Sequence, residues 1–212
     1  MSQISQMLHF LDPEVIVRAA GLAGVLAVIF AESGLFFGFF LPGDSLLFTA
    51  GLLASRGFIS LTGLLVGGIF FAILGDAVGY AFGKKVGPAL FKKEDSLFFN
   101  KKHVEKARAF YEKHGAKAII MARFVPIVRT FAPIVAGVAG MPYRKFFIFN
   151  ATGGVLWIVS MTMLGYVLGK SITNIDAYVL PIIIAIILLS ILPSIIPPVL
   201  RRLRKDKYTG VK

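Results

Sequence analysis

Residues 118–143, AIIMARFVPIVRTFAPIVAGVAGMPY, decide the fold, because this apolar stretch could cross a membrane yet contains three prolines and two arginines. A spanning helix needs about 20 mostly apolar residues. Proline removes a backbone donor and clashes with the preceding turn, and irregular backbone at membrane depth survives only where protein or a water-filled cavity covers it. The stretch therefore predicts a re-entrant hairpin of two half-helices, with Pro126 and Pro133 as helix-breaking residues.

The composition of the whole chain also indicates a membrane protein. Of the 212 residues, 57% are hydrophobic and 16% are charged, although the formal net charge is +12. A soluble domain would carry roughly a quarter charged residues. The chain has no cysteine, which excludes disulfides, thiolate metal sites and cysteine nucleophiles. We therefore expect an all-α integral membrane protein that forms one membrane domain over residues 1–212.

A second apolar stretch with a predicted break, and four stretches without a predicted break, complete the predicted organisation. Residues 35–58 contain Pro42 and Gly43, which predict a first re-entrant hairpin broken at these two residues. The intact stretches predict four transmembrane helices, at residues 13–34, 60–83, 145–169 and 177–200.

The basic residues are concentrated in two segments. Residues 84–117 hold ten basic and four acidic residues, and residues 201–212 hold six basic residues and one acidic residue. Cytoplasmic loops of membrane proteins carry such an excess of Lys and Arg. Both segments, and both chain termini, are therefore predicted to be cytoplasmic. Within 84–117, apolar residues at helical spacing predict an amphipathic helix on the anionic leaflet; a solvated connector helix is the alternative.

The chain also repeats itself at an offset of 86 residues. The sequence GYAFGK at residues 79–84 matches GYVLGK at 165–170, and Ala50-Gly51 matches Ala136-Gly137. Each half would comprise one re-entrant hairpin followed by one spanning helix. If the second hairpin enters from the cytoplasm, the second repeat is inverted relative to the first. Inverted repeats with broken helices are a transporter architecture.

Apart from Glu14 at the start of the first span, three acidic residues lie within the predicted membrane segments. Ionisable groups there are costly and are functional hypotheses by default. Glu32 lies near the end of the first span and Asp44 at the tip of the first hairpin. Burial favours a protonated carboxyl group and an arginine partner favours an ionised one, so both are candidate proton carriers. Asp76, with Tyr80 one helical turn away, is an accessory candidate of either structural or transport function.

Two arginines flank Pro126 on the second hairpin. A guanidinium group matches phosphate oxygens, and helix N-termini attract anions. Arg123 and Arg129 are therefore candidate phosphate ligands, to which Thr130 could add a hydroxyl. In an inverted repeat the two hairpin tips would meet, so these arginines and the acidic pair could share one cavity. The alternative is that both arginines form ion pairs that only lock the hairpins together.

Several other functions lack their sequence signals. The chain contains no Walker-type phosphate loop and no HExxH motif, and its three histidines lie outside the apolar segments. We therefore expect no enzymatic activity, no metal and no cofactor, with protons as the coupling ion. The position of the basic segments beside membrane spans favours contact with anionic lipid headgroups over nucleic acid. The sequence is compatible with a homo-oligomer and does not define its size.

Two motifs resemble the signatures of the DedA family, which carries the VTT (SNARE-associated) domain. One is FAESG at residues 30–34 followed by FLPGDSLL at 40–47, and the other is ARFVPIVRT at 122–130 followed by Ala136-Gly137. The resemblance covers roughly residues 20–175. It implies a multi-pass protein of the bacterial inner membrane, with the fold of the VTT-domain lipid scramblases.

The resemblance also implies a function. Members of the family resemble translocases that return undecaprenyl phosphate to the inner leaflet, some of them dependent on the proton-motive force. The family's essential acidic pair matches Glu32 and Asp44, and its essential arginine pair matches Arg123 and Arg129. The leading hypothesis is thus a flippase or scramblase for an anionic phospholipid headgroup. A proton-coupled small-solute exporter or cation antiporter, supporting envelope homeostasis, and a non-transporting scaffold are the alternatives.

Overall fold

The computed structural model describes residues 13–34, 41–90 and 117–171, and the regular structure of these residues is entirely helical. The helices, in chain order, are α1 (Pro13–Gly34), α2 (Gly43–Ser55), α3 (Leu61–Leu90), α4 (Lys117–Ala122), α5 (Pro126–Val138) and α6 (Tyr143–Ser171). The expected all-α class is thus confirmed for this part of the chain. The predicted helix at 177–200, the basic tail at 201–212 and most of the segment 84–117 lie outside the described residues.

Three of these helices are long and apolar enough to cross a membrane. The qualifying stretches are Val17–Gly34, Leu61–Val86 and Tyr143–Ser171. At 1.5 Å per residue, α3 is about 45 Å long, more than the roughly 30 Å of a bilayer's hydrocarbon core. This helix continues to Leu90, beyond the transmembrane span predicted for residues 60–83. Lys84 and Lys85 are exposed on it, and a long lysine stem can reach water without a break in the helix.

The stretch 118–143 is broken between α4 and α5, and again after Val138, where α5 ends. Val125 is extended (φ −123°, ψ 105°), and α5 begins at Pro126, where the missing N–H removes no helical hydrogen bond. Pro42 takes the corresponding place immediately before α2. The prediction for Pro133 was wrong, because this residue lies inside α5 and the helix continues to Val138. Proline's fixed φ is itself helical, and Pro133 packs against Gly79 of α3.

The two short helices α2 and α5 end in the same way. Gly57 (φ 79°) follows α2 and Gly140 (φ 73°) follows α5, both in the left-handed region that favours glycine. Backbone bonds from Phe58 to Leu53 (3.1 Å) and from Met141 to Ala136 (3.0 Å) close the two ends. These are Schellman-type ends, which stop a helix and reverse the chain direction.

Each short helix packs chiefly against the long helix of the other sequence repeat. Helix α2 lies along α6, and α5 lies along α3. Gly165 of α6 faces the backbone of Phe48, and Gly79 of α3 faces Ile134. Phe48 and Ile134 are 86 residues apart, and so are Gly79 and Gly165. The two contacts are therefore related by the offset of the sequence repeat. The repeat therefore corresponds to a structural exchange of short helices between the two halves, although the depth and re-entrant course of the hairpins remain predictions.

Apolar side chains fill the interior and also cover part of the outside. One interior cluster joins α1, α2, α3 and α6, and a second one joins α3, α4, α5 and α6. Exposed apolar residues follow every fourth position of α3: Val66, Phe70, Leu74, Val78 and Phe82. A helix that is apolar on both faces is typical of a membrane span.

Candidate functional site

Arg129 of α5 bridges two acidic residues that come from different helices. Its Nη2 forms an ion pair with Oε1 of Glu32 on α1, and its Nη1 lies 2.9 Å from Oδ1 of Asp44 on α2. Arg129 and Glu32 are each 2% exposed, whereas the Asp44 side chain is 14% exposed. One guanidinium group therefore ties α5 to both α1 and α2.

The Pro-Gly-Asp turn before α2 makes this arrangement possible. The Glu32 carboxylate lies so close to Gly43 that a Cβ atom at this position would overlap it. Glycine therefore lets the carboxylate reach the N-terminal end of α2, which carries a partial positive charge. Asp44, the next residue, lies in the first turn of the same helix. The sequence signal that predicted a hairpin break thus also places the two acids next to each other.

Arg123, at the break between α4 and α5, forms a second buried ion pair. Its Nη2 contacts Oδ2 of Asp76 on α3 and donates to Oδ1 of Asn150 on α6 at 2.6 Å. Asn150 in turn donates to the carbonyl oxygen of Ile73 at 3.4 Å. Arg123 and Asp76 are each 2% exposed. The guanidinium group is therefore held by one side chain from each of two long helices.

Trp157 of α6 links the two ion pairs. Its indole nitrogen donates to Oδ1 of Asp44 at 2.7 Å, the same oxygen that Arg129 contacts. The Cζ atoms of Arg129 and Arg123 lie 4.2 Å and 5.9 Å from the ring centroid, within the range of cation–π attraction. The indole ring is fully buried. Trp157 therefore contacts both halves of one continuous charged cluster.

This cluster, which we call the ionic cluster, consists of Glu32, Asp44, Asp76, Arg123, Arg129, Asn150 and Trp157. The sequence predicts that Glu32 and Asp44 share a cavity with both arginines. In the structure these two acids pair with Arg129, whereas Arg123 pairs with Asp76. Thr130 is buried beside Arg129. Within the described ranges, no group of three or more His, Cys, Asp and Glu side chains is placed to hold a metal ion.

Tyr80 is the predicted site residue that the structure assigns elsewhere. Its hydroxyl donates to the carbonyl oxygen of Met141, and its ring stacks on Phe146 with centroids 4.5 Å apart. It therefore serves the packing of α3 against α6 and does not hydrogen-bond to Asp76. For Asn150 and Trp157 the sequence predicts a packing or interhelical hydrogen-bond role, and each forms an interhelical hydrogen bond with a charged member of the cluster; what the sequence did not indicate is that they belong to the site. The signal that could have found them was a lone indole and a lone amide on an apolar span.

Several polar atoms of the ionic cluster have no hydrogen-bond partner within the described residues. They are Nε and Nη1 of Arg123, Nε of Arg129, Oδ1 of Asp76 and Oε2 of Glu32, and all of them are buried. Buried polar groups are paired in the great majority of cases. A charged cluster that retains unpaired donors inside a helical bundle is suited to receive an anion.

Fold and site together define a class: a multi-pass helical membrane protein with broken helices and a buried cluster of opposite charges. The chain belongs to the VTT domain family, the family of DedA, whose profile matches residues 41–167. The matched range includes every member of the ionic cluster except Glu32.

Bacterial membrane proteins of this family are similar to the chain over most of its length. An uncharacterised membrane protein of Mycobacterium leprae is 47% identical over 163 residues, which cover 77% of this chain and 73% of the relative. Protein DedA of Escherichia coli K12 is 48% identical over 144 residues, 67% and 66% of the two chains. Inner membrane protein YqjA of the same strain is 32% identical over 176 residues, 81% and 80% of the two chains. No solved structure gave a significant match.

Proposed function

We propose that this protein moves an anionic lipid headgroup between the leaflets of the bacterial cytoplasmic membrane, with undecaprenyl phosphate as its substrate. The observation that carries the proposal is the ionic cluster: two arginines, each 2% exposed, at and just after a break between two half-helices. Charges buried at membrane depth are expensive and mark substrate pathways.

The arginines suit a phosphate group for two reasons. Guanidinium is a planar fork whose N–H groups match phosphate oxygens, and its charge persists at any physiological pH. Arg129 also lies in the first turn of α5, a helix of 13 residues that begins at Pro126. The N-terminal end of a helix carries a partial positive charge and unpaired N–H groups, which favour a bound anion.

The surface of the long helices suits a lipid tail. The apolar stripe on α3 and exposed residues of α6, among them Ile148, Val155 and Val159, present hydrocarbon to the outside of the bundle. A polyprenyl chain could remain in the bilayer beside these helices while only the headgroup passes the ionic cluster. The costly step, transfer of the phosphate charge through hydrocarbon, would then be the only step that the protein has to catalyse.

The carboxylates give a reason for proton dependence. The cluster contains three carboxyl groups, Glu32, Asp44 and Asp76, against two guanidinium groups, so its formal charge is −1 when all five are ionised. A phosphate monoester adds about −1.5 to −2 at neutral pH. We propose that a proton taken up on Glu32 or Asp44 cancels the cluster's own charge of −1 before the phosphate enters and loosens the grip on Arg129. Proton uptake and phosphate entry would thus be coupled through Arg129.

The proposal is tested in vesicles that contain the purified protein and undecaprenyl phosphate. Exposure of the headgroup on each leaflet is measured over time for wild type, the double variant Arg123→Ala/Arg129→Ala and the control Arg144→Ala, whose arginine is exposed on α6. We expect leaflet exchange by wild type and the control, and exchange at the protein-free rate by the double variant. A pH gradient then separates proton-driven transport from passive scrambling.

Two outcomes would overturn the proposal. Equal exchange by wild type and the double variant would show that the arginines do not handle the headgroup. If vesicles that show no lipid exchange change their internal pH when a cation gradient is applied, the antiporter alternative is favoured. In that alternative the carboxylates carry the protons and the arginines only adjust their proton affinity. Localisation in the cytoplasmic membrane with both termini inside belongs to the same proposal, and labelling of cysteines introduced near the termini tests it.

A further inference from the structure

The two arginines of the ionic cluster differ in how their N–H groups are used. Arg129 directs one terminal nitrogen to Glu32 and the other to Asp44. Arg123 instead uses a single nitrogen, Nη2, for both of its contacts, with Asp76 and with Asn150. In the sequence the two arginines lie on either side of Pro126, and nothing there indicates this difference.

The difference leaves Arg123 with more donors for a ligand. A guanidinium group has five N–H donors, two on each terminal nitrogen and one on Nε. At Arg123 the two acceptors occupy Nη2, while Nη1 and Nε are buried without a hydrogen-bond partner among the described residues. At Arg129 only Nε is buried without a hydrogen-bond partner among the described residues. Buried donors without partners are costly, so this part of Arg123 is where an acceptor would gain most.

The geometry points to a division of labour: Arg123 supplies the N–H donors that first bind the headgroup phosphate, Asp76 and Asn150 are positioning residues that hold Arg123, and Arg129 stays with its two carboxylates until one of them takes up a proton. This inference rests on the proposed function and deepens it. Asp76 and Asn150 come from α3 and α6 and meet at one nitrogen. They therefore fix the guanidinium group from one side and direct an incoming anion to Nη1 and Nε.

The shared nitrogen permits a test in which a carboxylate is moved. Asp76→Asn removes the counter-ion of Arg123 but keeps an amide oxygen that can accept from Nη2. Adding Asn150→Asp restores one carboxylate on the same nitrogen, now supplied from α6 instead of α3. The double variant therefore keeps the formal charge and the number of acceptors around Arg123. Asn150→Asp alone adds a second carboxylate and should weaken anion binding through repulsion.

Binding is measured through Trp157, the single tryptophan of the chain, whose ring lies 5.9 Å from Cζ of Arg123. Farnesyl phosphate, farnesol and inorganic phosphate are titrated separately into the purified protein in detergent. We expect a saturable change in emission with farnesyl phosphate and none with farnesol. Inorganic phosphate distinguishes recognition of the free anion from recognition of a lipid phosphate. Size-exclusion chromatography and circular dichroism confirm that each variant is folded.

A hydrogen bond to a charged group corresponds to about tenfold to hundredfold in an equilibrium constant. Asp76→Asn removes a carboxylate that repels an anion, and it also replaces the charge-assisted bond that holds Arg123 in position. For a positioning residue the second effect is the larger one, so we expect Asp76→Asn to weaken farnesyl phosphate binding about tenfold and the double variant to return within about threefold of wild type. Tighter binding in Asp76→Asn would show that this carboxylate acts on the anion only through repulsion and would overturn the inference. Unchanged binding in Asp76→Asn, or a folded double variant without recovery, would overturn the inference. So would the absence of any response in wild type.

The same variants separate this inference from the proposed function. If wild type binds farnesyl phosphate and the swap restores binding, but vesicles show no leaflet exchange, the assignment of Arg123 stands and the transport proposal fails. If wild type exchanges lipid while Asp76→Asn has the wild-type half-saturation concentration, transport stands and the role of Asp76 and Asn150 fails.

Discussion

Replacement of Arg129 by Met should destabilise the protein chiefly through one of its two acidic partners. Glu32 is 2% exposed, and the substitution leaves its charge buried without a counter-ion. Removing one partner of a buried ion pair typically costs about 3–5 kcal/mol. Asp44 is 14% exposed and keeps the hydrogen bond from Trp157 at 2.7 Å. We therefore expect a total loss near 3–5 kcal/mol, and not twice that range.

The unequal burial of the two acids makes this prediction specific. In the Arg129→Met background, Glu32→Gln replaces a buried charge with a neutral amide, whose unsatisfied burial costs about 1–3 kcal/mol. It should therefore recover about 2 kcal/mol, the difference between the two ranges. Asp44→Asn in the same background should recover less than about 1 kcal/mol, because that carboxylate is less buried and keeps the hydrogen bond from Trp157.

The assay is the free energy of unfolding, followed by circular dichroism in mixed micelles as a denaturing detergent is added. Wild type, Arg129→Met and the two double variants are compared under one set of conditions. Equal recovery by both double variants would refute the argument from burial. A loss below about 1 kcal/mol for Arg129→Met would show that the ion pairs do not stabilise the fold.

Three further predictions concern packing in the ionic cluster and between the helices outside it. Trp157→Phe keeps an aromatic ring but removes the donor to Asp44, so it should cost about 1.5–3 kcal/mol by the same unfolding assay. Gly137→Ala places a methyl group against the backbone of α3 and should cost about 1–3 kcal/mol, whereas Gly67→Ala meets only a flexible leucine side chain and should cost less; similar losses would contradict this. Tyr80→Phe should lower stability by about 1 kcal/mol and leave lipid exchange at the wild-type rate, since its hydroxyl lies outside the ionic cluster.

The broken helices were largely predictable, because proline acts locally. Pro42 and Pro126 stand at helix starts, where the missing N–H is harmless. Pro133 was mispredicted because a proline that has a complete turn of helix before it and a glycine-lined groove beside it can remain helical. Whether such a groove exists depends on α3, more than 40 residues away in the sequence.

The partners within the ionic cluster were less predictable, although its charged members were recognised. Composition and motif spacing identify Glu32, Asp44 and the arginines as buried charges in an apolar chain. Which acid meets which arginine depends on the rotation of each helix about its axis, and a rotation of one residue turns a side chain by about 100°. For the same reason the sequence could not identify the hydrogen-bond partners of Asn150 and Trp157, which depend on how α2, α3 and the helix break are placed against α6.

The exchange of short helices between the two halves has a consequence for synthesis. Helix α2 buries almost its whole length, from Ser45 to Ala54, largely against α6. That surface of α6 emerges from the ribosome more than 100 residues later, so the first half of the chain enters the membrane with Asp44 and its neighbours lacking their final cover. Insertion and assembly must therefore be separate events, and a truncated first half is expected to be a substrate for membrane quality-control proteases.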